Sequence, residues 1–180
     1  MASDPLPEGE AAPPTRDARL VEEATKKAGL VWLHLPGVGQ PRAAWHLWRD
    51  GAAYLVADGL EQPLPGLVEA GRVAVTVPSK DKGGRLVTWI AAVSRVEPGT
   101  EEWDRVVPLL HAQRLNAPDG EEQPRRWARE SVVVRLDPTG EVSEVPEAMP
   151  QNSDAAPPVP TTATTAPPLP YVLGRRRRRR

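Results

Sequence analysis

The sequence predicts a mainly β fold with flanking helices, an antiparallel barrel or sheet, and three observations point to it. Ala43 to Asp58 and Arg72 to Glu97 each alternate apolar and polar residues, rich in Val, Ile, Thr, Trp and Tyr, as a pleated sheet requires. Each stretch is broken once by a tight-turn sequence, Arg49-Asp50-Gly51 in the first and Asp81-Lys82-Gly83-Gly84 in the second, so each reads as a hairpin. Of the 22 prolines in 180 residues, four lie at or before Pro14 and eight at or after Pro146, which confines the patterned region to residues 16–143. That is the size of one domain.

The elements follow in order. Asp17 to Ala28 reads as a short helix with Asp17 as its cap, acidic residues early, Lys26 and Lys27 late, and Gly29 as terminator. Its apolar stripe of Leu20, Val21, Ala24 and Ala28 is narrow and can cover only one edge of a sheet. Leu30 to Leu35 is an apolar run ended by Pro36-Gly37, the length of a buried strand. Strands two and three are expected at Ala43 to Trp48 and Ala52 to Ala57. A turn at Gln62 to Gly66 and a single helical turn at Leu67 to Ala70 lead to strand four, Arg72 to Val77, stopped by Pro78. Strand five, Leu86 to Glu97, is apolar on both faces, so it is covered on both sides or bends across a barrel seam. Thr100 caps a helix whose Trp103, Val106, Val107 and Leu110 form a core-facing stripe, with a kink expected at Pro108. Pro124 opens a short helix to Glu130, Ser131 to Leu136 is strand six, and Asp137-Pro138-Thr139-Gly140 closes the domain.

Composition removes several function classes. With no cysteine there is no disulfide, thiolate metal site or cysteine nucleophile, and nothing suggests secretion. No apolar run reaches the roughly 20 residues of a membrane span. The N-terminal residues 1–15 lack the order of a signal peptide and read as a solvated arm, so the expected location is cytoplasmic. Net charge is −1 overall, but Arg175 to Arg180 contribute six positive charges, leaving −7 on everything before them. An acidic domain argues against nucleic-acid binding by the globular part. Residues 144–174, rich in Pro, Ala and Thr, offer little to bury and read as disordered linker. The terminal arginines could tether the chain to an anionic partner, a nucleic acid or a membrane surface, or fold back onto the acidic domain.

With these elements placed, the chain resembles the pyridoxamine 5′-phosphate oxidase-like, FMN-binding split β-barrel family across Asp17 to Pro138. The resemblance rests on the opening helix, the strand ending at Pro36-Gly37, Pro41-Arg42 leading into Ala43 to Trp48, Arg49-Asp50-Gly51, and Tyr54-Leu55-Val56. The short-helix-to-strand segment Leu67 to Val77 and the long strand Leu86 to Glu97 complete it. It implies a six-stranded antiparallel split barrel, a homodimer, and FMN or a deazaflavin held in a groove between subunits for a redox reaction. Carried over by position, Arg42 falls at the phosphate, Trp45 and His46 on the strand lining the ring, and Thr88 and Trp89 where the long strand nears the isoalloxazine. The chain departs from the family after strand three, where Asp58-Gly59-Leu60-Glu61 stands in place of a hydroxyl and a basic residue. Two carboxylates there would repel a phosphate.

Other constellations carry less. The six tryptophans are the main aromatic filler in a chain without phenylalanine. His34, His46 and His111 have no metal-ligand spacing; His46 draws interest for alternating with Trp45 and Trp48 on one strand. There is no nucleophile elbow and no phosphate-binding glycine loop. The competing reading is a non-catalytic interaction module, the same barrel without cofactor, delivered to an anionic partner by its arginine tail.

Overall fold

A computed structural model of the chain describes residues 14–80, 84–115, 117–146 and 148–149. The expected N-terminal arm, the linker beyond Met149, the arginine tail and most of the Asp81 to Gly84 turn lie outside the described residues.

Seven antiparallel strands form one sheet that curls into a half-barrel flanked by helices. The chain begins with α1 (Arg16–Lys27), then β1 (Val31–His34), β2 (Arg42–Ala44), β3 (Leu47–Arg49) and β4 (Ala52–Ala57). After the single turn α2 (Leu67–Ala70) come β5 (Arg72–Pro78) and β6 (Arg85–Val96). Helix α3 (Glu101–Gln113), a short 3-10 turn (Gly120–Glu122) and α4 (Gln123–Glu130) lead to β7 (Val132–Glu144). The strand order across the sheet is β2-β1-β5-β6-β7-β4-β3.

The strand count is seven, not six, because the expected second strand is divided. β2 pairs with β1 at one edge of the sheet, and β3 pairs with β4 at the other. Only Trp45 and His46 separate them, so the two edges are held within the reach of three residues, at most about 10 Å. This is what curls the sheet. At the seam the Gln62 side chain replaces a neighbouring strand: its Oε1 accepts from Trp45 N at 2.9 Å and its Nε2 donates to Trp45 O at 3.1 Å. The adjacent hairpin turns on Asp50 and Gly51, both at positive φ (48° and 77°), the backbone a two-residue type I′ connection needs.

The last strand also runs further than expected. Asp137 to Gly140 does not close the domain; β7 continues to Glu144, with register shifts opposite Thr88, Trp89 and Ala91. Pro138, which cannot donate to a ladder, sits in this irregular stretch opposite Ala91, and Gly140 (φ 84°) allows the local change of direction.

The helices follow their sequence signals closely. Thr15, rather than Asp17, caps α1, its Oγ1 accepting from Ala18 N at 3.2 Å. Thr100 caps α3 in the same way, and Trp103, Val106, Val107 and Leu110 are its buried residues. That helix continues through Pro108, which lies on its exposed side, where water can satisfy the carbonyl left without a partner.

Two cores result. The inner face of the curl is built from Val31 and Leu33, Val73, Val75 and Val77, Val87, Trp89 and Ala91, with Leu55 and Leu136 opposite, and α1 closes it with Val21 and Ala24. The second core packs Trp103, Val106, Leu110 and Trp127 against Tyr54, Val56 and Val133 on the far side of β4 and β7. β4 is therefore buried on both faces. β6 joins both clusters, reaching the second through Val96. Over β5 and β1, however, its outer face is only partly covered: Thr76 and Thr88 are buried, Ile90 is half-buried, Ala92 and His34 are exposed, and Trp32 is 40% exposed.

Candidate functional site

The five residues expected at a cofactor divide among three places. Arg42, Leu33, Val75 and Trp89 form one cross-strand row on the inner face, in direct register from β2 to β6. Three strand spacings separate Arg42 from Trp89, about 14 Å along the sheet. Leu33 and Val75 fill the interval and are fully buried, so no groove joins the two ends of the row. Arg42 is exposed at the sheet edge.

Trp45 and His46 belong to the seam. His46 is buried and its Nε2 donates to the carbonyl of Thr25 in the last turn of α1 at 2.8 Å, which fixes the strand break to the helix. That bond places the proton on Nε2 and leaves Nδ1 as an acceptor with no partner among the described residues. Burial pushes the imidazole below its ordinary pKa, against the smaller upward pull of the Thr25 carbonyl. Trp45 packs on Trp127 with centroids 6.4 Å apart, and the Arg114 guanidinium lies 5.8 Å over its ring.

Beneath these rings lies Glu61, read from sequence as an obstacle to phosphate. Its side chain is 1% exposed and internally neutralised: Arg114 Nε donates at 2.9 Å, Arg126 Nη2 at 3.1 Å and the Trp127 indole N–H at 2.9 Å. Burial would raise its pKa, but these three donors together hold it below the ordinary carboxylate value. Asp58 is likewise engaged, accepting from Leu64 N at 3.1 Å. Gly59 between them is at φ 63°, and a Cβ there would lie 2.5 Å from the Glu130 carbonyl oxygen. The segment after β4 is thus a structural clamp joining the sheet to α3 and α4.

Thr88 occupies the third place, the partly covered outer face. Trp32, Thr76, Thr88 and Glu144 are successive register partners across β1, β5, β6 and β7. Their polar groups connect: His34 Nε2 to Thr76 Oγ1 at 2.9 Å, Thr76 Oγ1 to Thr88 Oγ1 at 2.9 Å, and Thr88 Oγ1 donating to Glu144 Oε2 at 2.7 Å. Arg85 approaches the same carboxylate at 3.6 Å. The sequence reading missed His34, Thr76 and Glu144 because a hydroxyl row exists only once the strand register is known. The one legible hint was that Thr76 and Thr88 interrupt otherwise aliphatic strands.

Trp89 faces the other way, into the inner core, where its indole N–H has no acceptor among the described residues and Trp48 meets it edge-on at 6.3 Å. Both rings line a cleft of about 280 Å³ between α1 and the far half of β7. Glu22, Asp137 and Glu141 also line it, and among the described residues no Lys or Arg does. The nearest cations, Arg135 and Arg72, are already paired with Asp137 and Glu141. Among the described residues no cluster of metal-ligating side chains occurs, and no helix is long and apolar enough to cross a membrane.

No protein-family model and no curated protein matches the sequence. Solved structures do. The chain is similar to split-barrel proteins of the pyridoxamine 5′-phosphate oxidase-like kind. A Listeria innocua protein named provisionally a pyridoxamine 5′-phosphate oxidase is 15% identical, with a TM-score of 0.48, covering 69% of this chain and 94% of that one. HutZ, a heme storage protein from Vibrio cholerae, is 17% identical with a TM-score of 0.47, over 66% of this chain and 87% of its own. An F420 reductase is 18% identical with a TM-score of 0.45, over 66% and 92%.

Proposed function

We propose that the protein is a cytoplasmic homodimer that binds a flat flavin-type cofactor, FMN or a deazaflavin, in a groove its outer sheet face forms with a second copy. The carrying observation is that face itself. Trp32 and Ile90 are left partly exposed around a buried, hydrogen-bonded row of hydroxyls, the make-up of an apolar interface with a few placed polar groups. Trp32 offers an indole face and His34 an exposed imidazole; Thr76 and Thr88, buried and bonded to one another, hold that imidazole in place, and Arg42, whose row lies on the inner face, reaches a phosphate only round the β2 edge. Trp45, His46 and Trp89 act at one remove, by closing the seam and filling the inner wall. A bound flavin supplies the hydride chemistry; the protein's task is to stack it, anchor it and exclude water. The substrate is a small molecule of a class the site does not name.

Mixing the purified protein with FMN and, separately, with a deazaflavin, then passing each through gel filtration, tests the reading. Retained visible absorbance with one cofactor, reduced by Thr88→Val, is the expected result. A colourless protein peak with both would contradict it. That outcome favours the second reading, a non-catalytic module, for which the acidic rim of the Trp89 cleft speaks.

A further inference from the structure

The cleft beside Trp89 is built for something other than a phosphate-bearing cofactor. Its volume, about 280 Å³, falls just below the roughly 300–1,000 Å³ of pockets that enclose drug-sized ligands. Its floor is aromatic and aliphatic, with Trp48, Trp89 and Val21, and its rim is acidic, with Glu22, Asp137 and Glu141. Asp137 is chelated by Arg135, and Glu141 pairs with Arg72 in an exposed bridge of 2.8 Å. Such an exposed bridge contributes little and is readily exchanged for another cation. Glu22 has no ion-pair or hydrogen-bond partner among the described residues.

A second observation points to what completes the site. The Trp89 side chain is 1% exposed, yet its indole N–H donates to nothing among the described residues. Buried indole donors normally find an acceptor. The apolar floor and the acidic rim suit an occupant that brings apolar and cationic groups together.

We infer that this cleft docks the chain's own C-terminal segment, Pro167 to Arg180, in cis. The segment reads Pro167-Pro168-Leu169-Pro170-Tyr171-Val172-Leu173-Gly174 followed by six arginines. Proline-rich chain favours an extended helix with every backbone carbonyl free, and aromatic-lined grooves bind it at low entropic cost. Leu169, Tyr171 or Leu173 enters against Trp48 and Val21, and the arginines meet the acidic rim. Connectivity suits this arrangement. Gly140 to Val142, which line the cleft, precede Met149 by a short stretch made of the end of β7 and its exit. The 18 residues from Met149 to Pro167 span about 23 Å as flexible chain, which gives the tail an effective concentration in the millimolar range. Docking also screens six positive charges from outside anions, so an anionic partner would compete with the cleft for the tail.

The absence of cysteine makes the test clean. A nitroxide is placed on Gly174→Cys in the full-length chain, and the ¹⁵N indole signals of the six tryptophans are recorded. Trp48 and Trp89 are expected to lose most of their intensity, while Trp103 and Trp127 in the second core keep theirs. The loss should be relieved by Glu22→Lys, and by replacing Arg175 to Arg180 with serine in the labelled chain. A 1:1 mixture of nitroxide-labelled unenriched chain with untagged ¹⁵N chain should show no broadening. Uniform or absent broadening in the labelled chain, or broadening in the mixture, overturns docking in cis.

Discussion

Two hydrogen-bonded networks in this protein use similar groups to opposite ends. Around Glu61, a carboxylate, two arginines and an indole are sealed under α3 and α4, and every bond joins elements distant in sequence. Across His34, Thr76, Thr88 and Glu144, the bonds run along an open sheet face between strands that the backbone ladder already joins. The first network is closed over its carboxylate, with only Arg114 reaching solvent at its margin, so its loss destabilises the fold. The second buries its two hydroxyls but opens to solvent at both ends, His34 and Glu144, so its loss changes what the face can bind. Burial, more than the chemistry of the groups, separates structural polar residues from available ones.

The largest effect is therefore expected at the enclosed network. Glu61→Ala leaves the buried Trp127 indole N–H without its acceptor and removes one of the two carboxylates facing Arg126, which keeps Asp119, and should lower unfolding free energy by about 3 kcal/mol in denaturant titration. A loss no larger than that of a surface substitution would erase the contrast between the two regions. Gly59→Ala combines a left-handed backbone with a Cβ pressed on the Glu130 carbonyl. It should cost about 1–3 kcal/mol in the same assay.

Acid should act on the enclosed side as well. Glu61 has a folded pKa below its ordinary value, so its contribution is present above about pH 4.5 and is lost as pH falls through the depressed value. His46 is also depressed, by burial, so its contribution is complete above about pH 6.5 and declines as the pH falls from there. A wild-type stability profile should thus fall in two steps on acidification, and His46→Gln should remove the upper one. A profile flat from pH 7 to pH 5 would contradict the buried, neutral imidazole.

On the open face, Thr76→Val breaks the bonds to His34 and Thr88 and should cost only about 1 kcal/mol. A loss comparable to Glu61→Ala would mean the hydroxyl row is as structural as the clamp.

What the sequence revealed follows the same division. Period-2 patterning located the long strands, and capping residues located α1 and α3, because those signals are local. The β2/β3 break was not legible: Ala43 to Trp48 alternates as one strand would, and only Gln62, 17 residues after Trp45, shows that Trp45 has left the ladder. Glu61 looked hostile to phosphate because its partners, Arg114, Arg126 and Trp127, are more than fifty residues away. Arg42 and Trp89 do share one face, but the two filled positions between them depend on strand order, which patterning does not encode. Thr88 and Trp89, adjacent in sequence, could not both face one ligand, since neighbours in a strand point to opposite sides.

The outer face as half of an interface is tested most directly by sedimentation velocity on the wild type and on Ile90→Asp at tens of micromolar protein. Ile90 is partly exposed in one chain, so the substitution should cost the monomer about 1–3 kcal/mol, short of unfolding it. A wild-type dimer that becomes a folded monomer on Ile90→Asp is the expected result. A monomeric wild type, or a dimer indifferent to the charge at that position, would contradict it.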